Sequence, residues 1–148
     1  MLEQFRLGVM QGRLLPKYNG KYQAHPKGYW QEEFSLAKSL GLGLIEFILN
    51  YSDAHENPLV SPEGLLEIES AMKTSGVRVR SICADYFMEA PLHSRNDETV
   101  EESQGMLLKL LKHATSFGVT DVVIPCVDCA SLRDDEDKER LIKNTQPL

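Results

Sequence analysis

The side chains best equipped for chemistry in this sequence sit where short apolar runs give way to polar residues. Gln11 and Arg13 follow the run Phe5–Met10, Glu46 lies within Leu44–Ile48, Asp85 and Tyr86 close the stretch Ser81–Phe87, and Asp128 closes Val122–Asp128. Amides and carboxylates on fixed elements supply the several hydrogen-bond partners that a polyhydroxylated ligand needs. Arg13 can hold a phosphate or carboxylate in a two-pronged contact. A competing reading pairs Arg13 with Glu46 so that each satisfies the other, and leaves Asp128 to cap the loop after it. The cluster Asp53-x-His55-Glu56 has metal-ligand residue types, but Asn57-Pro58 beside it marks a turn, and a polar loop explains it equally well. Cys126-x-x-Cys129 falls at a strand end rather than a helix start, and no second pair completes a zinc site. Three cysteines, an odd number, suit reduced thiols better than a disulfide framework.

The elements that must position these groups repeat one plan. Phe5, Leu7 and Val9 alternate as a first strand, and Leu14–Gly28, rich in Pro, Gly, Tyr and Lys, reads as a long loop of the kind that usually carries function. Trp30, Phe34, Ala37 and Leu40 recur at helical spacing up to Gly41 or Gly43, and the strand Leu44–Ile48 follows. Ser61-Pro62-Glu63 is a helix start, with Ser as cap, Pro at the first helical position and Glu near the positive end of the dipole. Leu65, Ile68 and Met72 give that helix its buried face; Gly76 ends it, and Val77, Val79 and Ile82 form the next strand. Met88–Arg95 reads as a loop and Asp97 as the cap of a third helix, whose stripe is Leu107, Leu110, Leu111, Ala114 and Phe117. After Gly118 come the strand Val122–Asp128 and a charged helix, Asp134–Asn144.

Four strand-helix repeats without hairpin signals predict an α/β fold with a parallel sheet. Units of this size match a (β/α)8 barrel, in which eight units occupy about 250 residues. A chain of 148 residues holds the first four, and it is expected to end inside or just after its fourth helix as a fragment of a larger barrel.

Composition narrows the function. The hydrophobic share of 42% and charged share of 26% are those of an ordinary globular domain. A net charge of -6 argues against a protein whose task is to grip phosphate backbones. The longest apolar run, Leu40–Leu49, is too short to cross a bilayer and carries Glu46 in its middle, and Met1–Met10 lacks the pattern of a secretory signal. A cytoplasmic location is expected.

Gly8-Val9-Met10-Gln11-Gly12-Arg13, Ile45-Glu46-Phe47, Ser81–Phe87 and Val123–Asp128 together resemble the xylose-isomerase-like barrels, specifically the sugar phosphate isomerase/epimerase group. The resemblance covers nearly the whole chain. It implies a small sugar or sugar phosphate as substrate and a divalent metal (Mn, Mg or Zn) held by Glu, Asp and His groups near the last four strands, none of which lie in this chain. Carried over position by position, it makes Gln11, Arg13, Glu46, Asp85, Tyr86 and Asp128 substrate-binding, under a loop bearing Tyr22 and His25. The chain alone is then expected neither to epimerise sugars nor to bind a catalytic metal tightly, and to self-associate or pair with a complementing second half. A non-catalytic half-barrel is the alternative. An endonuclease-four-type repair nuclease of the same superfamily needs clustered histidines and a basic face, whereas His25, His55, His93 and His113 are scattered.

Overall fold

The computed structural model describes residues 7–146. Strands β1 (Gly8–Met10), β2 (Leu44–Ile48), β3 (Arg78–Cys83) and β4 (Asp121–Val123) form one sheet in the order β1-β2-β3-β4. Every neighbouring pair is parallel, as the strand-helix repeats predict. The expected first strand begins at Phe5, which lies outside the described residues.

Helices α1 (Glu32–Ser39), α2 (Pro62–Ser75) and α4 (Asp97–Ser116) connect the strands, a single turn α3 (Tyr86–Glu89) follows β3, and α5 (Asp135–Thr145) follows β4. Ser61 caps α2 by accepting a hydrogen bond from Gly64 N, and Gly76 ends it at φ 78, a conformation that costs glycine nothing.

One face of the sheet carries the core. Ile45, Phe47, Val79 and Ile82 point at the helices and are almost wholly buried together with Phe34, Ile68 and Leu110. Val79 and Ile82 are three residues apart yet share this face because β3 bulges. Ile45 pairs with Val79 but Glu46 pairs with Ser81, leaving Arg80 as the extra residue. The other face presents Met10, Glu46, Ser81 and Val123, and Val123 there is 45% exposed.

Several expected details change. Leu40 is the C-cap of α1, where the chain has left the helix, and its side chain faces solvent; Leu42 packs against the core instead. Leu111 lies at the edge of the α4 stripe and is exposed, while Val100, Ser103 and Met106 extend the buried face toward the N-terminus. Asn96 rather than Asp97 caps α4, its side chain accepting from Thr99 N. The stretch read as a loop from Met88 begins inside α3. The fourth strand stops at Val123 rather than Asp128, because β3 leaves the sheet after Cys83 and Pro125 has no N–H to extend a ladder.

Candidate functional site

Parallel strands bring β1, β2 and β3 to one rim at their carboxyl ends, and a chain of hydrogen bonds runs across it. Arg13 Nη2 donates to Gln23 Oε1 (3.3 Å), Gln23 Nε2 donates to Asp85 Oδ2 (3.2 Å), and Cys83 Sγ donates to Asp85 Oδ1 (3.2 Å). Each oxygen of Asp85 thus has one partner and keeps accepting capacity for a ligand. Burial, the hydrogen bond to Asp85 and the nearby charges of Asp85 and Glu46 push the Cys83 thiol up to about 12, so it stays a protonated donor.

Arg13 is placed by a backbone clamp. Gly12 N donates to both carboxylate oxygens of Glu33 (2.9 and 2.7 Å) and Leu14 N donates to Oε1 (3.0 Å). Burial raises the pKa of Glu33, and these donors pull against that shift. Gly12 adopts φ 89, and a Cβ there would run into the carbonyl oxygens of Tyr22 and Ala24, so glycine is required where the loop folds back.

The segment expected to be an irregular loop contains a hairpin tip. Tyr18 and Lys21 exchange backbone hydrogen bonds (both 3.0 Å) around Asn19 (φ 48) and Gly20 (φ 77), a type I′ turn. Tyr18 Oη donates to Asp53 Oδ2 (3.0 Å), Lys27 pairs with Glu56 (2.7 Å), and His25 N donates to Asn50 Oδ1 (2.8 Å). Asp53 and Glu56 are therefore loop ties, and His55 lines a separate groove with Tyr86. Among the described residues no three His, Cys, Asp or Glu side chains come together as a metal set. The described side chains therefore do not offer the donor set that a divalent ion needs.

Gln11 is fully buried beneath the rim. Its Oε1 accepts from Ile48 N (3.0 Å) and lies 3.2 Å from His25 Nδ1. An amide oxygen only accepts, so His25 carries its proton on Nδ1 and leaves Nε2 as the basic nitrogen. Burial against the rings of Trp30 and Phe47 lowers His25 to about 4, with the charge of Asp53 opposing. Among the described residues Gln11 Nε2 has no hydrogen-bond partner.

A cleft of about 690 Å³ opens on this rim, within the range of small-molecule sites. Asp85 and Asp128 line it, together with Lys21, Gln23, Asn50, Tyr51 and Glu89. Asp128 sits at φ 51; Ser131 N and Oγ donate to its backbone oxygen, and among the described residues its carboxylate accepts no hydrogen bond, so the side chain does not cap the loop. Arg13 reaches the cleft through Gln23. Glu46 lies on the inner face of the sheet beside Cys83 and does not line the cleft. Among the described residues Arg13 and Glu46 form no ion pair, so mutual neutralisation does not occupy them. Tyr86 is buried with its ring on Tyr51 (5.1 Å) and Phe87 (5.3 Å), and it reaches the cleft only as the backing of Tyr51. Cys83, Cys126 and Cys129 are free thiols.

Sequence reasoning missed Gln23, Lys21, Glu33 and Tyr51. The dipeptide Asn19-Gly20 between Tyr18 and Lys21 is a hairpin signal that would have found Lys21. Nothing separates Glu33 from its neighbour Glu32 in the sequence, because both read as acidic residues in a first helical turn.

No family model matches the chain. It is similar to the L-ribulose-5-phosphate 3-epimerase UlaE of Salmonella paratyphi B, Salmonella schwarzengrund and Salmonella choleraesuis, at 32% identity over 91 residues in each case. The match covers 61% of this chain and 32% of each relative, so the matched part of the chain spans about a third of the length of these curated proteins. No described helix is long and apolar enough to cross a membrane.

Proposed function

We propose that this chain forms the sugar-holding wall of a sugar (phosphate) isomerase or epimerase, residues 1–148 being the N-terminal half of a xylose-isomerase-like (β/α)8 barrel. The observation that carries this reading is the Arg13–Gln23–Asp85–Cys83 chain of hydrogen bonds, set at the carboxyl ends of parallel strands beside an open cleft. Barrel enzymes keep their chemistry at that end. The similarity to a sugar phosphate epimerase points the same way. Here Asp85 accepts from sugar hydroxyls while Cys83 and Gln23 fix its orientation, and Tyr51, braced by Tyr86, offers a ring face to the C–H edge of a sugar. A divalent metal, the expectation attached to the resemblance, would be held by groups other than those described. A second reading, a half-barrel that pairs with a copy of itself or with a complementing half, draws on the exposed inner face at Val123 and on the single neighbour of each edge strand.

The test is calorimetric titration of the chain with L-ribulose and L-ribulose 5-phosphate. Asp85→Asn keeps the shape of the side chain but loses the charge that strengthens hydrogen bonds from hydroxyls, and it is expected to weaken both ligands about tenfold. Absence of binding by the unmodified chain, or an Asp85→Asn variant with unchanged affinities, would refute the sugar-binding reading.

A further inference from the structure

The cleft has an uneven charge distribution. Its floor, built from the segments that follow β3 and β4, carries Asp85, Glu89 and Asp128, whereas Lys21 is the cation among its described lining residues. A phosphate dianion on the floor would face three carboxylates. The wall formed by the loop after β1 is the place left for it.

That loop has other cations, but Arg13, Lys17 and Lys27 are not among the residues that line the cleft. Lys27 is held by Glu56, Lys17 lies over the Tyr22 ring (4.7 Å to its centre), and Arg13 is turned to Gln23. Lys21 forms no ion pair among the described residues. Its backbone is nevertheless well fixed. The type I′ turn at Asn19-Gly20 sets the direction in which Lys21 leaves the hairpin, and the bond from Tyr18 Oη to Asp53 ties the same tip to the loop after β2. A cation on a rigid tip at the edge of an otherwise acidic cleft is built to receive one negative group and to leave the hydroxyl-bearing end of the ligand for the carboxylates.

We propose that Lys21 receives the phosphate end of the ligand and is the residue by which the cleft distinguishes phosphorylated from unphosphorylated sugars. The proposal rests on the sugar-binding reading above and adds the orientation of the ligand: phosphate toward the hairpin tip, hydroxyls toward Asp85 and Asp128. No covalent step is involved.

The experiment titrates the ketopentose and its 5-phosphate into the unmodified chain, Lys21→Gln, Lys21→Arg and, as a control of equal charge change, Lys38→Gln on the exposed side of α1. A charge-assisted contact of this kind corresponds to roughly a tenfold change in affinity. Lys21→Gln should weaken the 5-phosphate about tenfold and leave the unphosphorylated sugar within about twofold, Lys21→Arg should restore most of the loss, and Lys38→Gln should change neither. Added salt should weaken the 5-phosphate selectively in the unmodified chain, and this selectivity should fade in Lys21→Gln. If both ligands bind and Lys21→Gln weakens them equally, or weakens neither, Lys21 does not discriminate and the proposal fails while the sugar-binding reading stands. If neither ligand binds the unmodified chain, both fail together.

Discussion

Replacing Glu33 by alanine is expected to destabilise the chain by about 3 kcal/mol and to loosen the turn that carries Arg13. The carboxylate holds two backbone N–H groups, Gly12 N shared between both its oxygens and Leu14 N on Oε1, all at 3.0 Å or less and in a site with no exposed surface. Hydrogen bonds to a charged group contribute about 1.5–3 kcal/mol each, and a buried N–H left without a partner costs about 1–3 kcal/mol. The gain from no longer burying a carboxylate offsets part of that sum, which is why the net falls short of two full charged bonds with their two orphaned donors. Glu33→Gln retains the side-chain volume and one acceptor oxygen, so it should lose about half as much. Urea unfolding gives the stabilities, and the amide resonances of Gly12 and Leu14 report the clamp directly. Should Glu33→Ala unfold at the same urea concentration as the unmodified chain, the carboxylate does not hold this turn.

His25 is expected to make the fold sensitive to pH between 6.5 and 4. Its pKa in the folded chain is lowered to about 4 by burial, so in this window the unfolded chain binds a proton that the folded chain does not. The His25 contribution is therefore complete above pH 6.5 and is lost as the pH falls toward 4. A shift from 6.5 to about 4 corresponds to about 3 kcal/mol. His25→Gln keeps a donor for Gln11 Oε1 but does not titrate, and should flatten the stability curve across this window. Asp137, held at about 2 chiefly by its hydrogen bond from Arg133, loses its contribution only below its usual value of 3.8 and so acts in a separate range. Unfolding curves of both proteins at pH 7, 5.5 and 4.5 decide the matter. Parallel pH dependence in the two would show that His25 is not protected from protonation.

The sheet was legible in the sequence because its signals are local. Apolar alternation and terminal glycines are properties of a few adjacent residues, and Gly76 and Gly118 both adopt the left-handed conformation that such stops require. The gap between Val79 and Ile82 also records the bulge, since two core residues three apart cannot share a face in a regular strand. The candidate site was less legible. Asp85 stands at the cleft because it follows the end of β3, and Asp128 reaches it from the turn beyond β4, but Glu46 shows that a residue within a strand is directed by its register, and Tyr86 that an aromatic ring after a strand can turn into the core. Gln23 and Glu33 act through partners ten to sixty-two residues away, and no short window of sequence contains such pairs.

Strand order in the sheet equals strand order in the chain. Among the described strands none must wait for a later one to be inserted beside it, and each new β-α unit finds its docking edge already made by the unit before. Strand pairings then join residues one unit apart, so the entropy lost in closing each loop stays modest. During synthesis β1 and β2 can pair while β4 is still inside the ribosome, and assembly proceeds as successive additions to a growing edge.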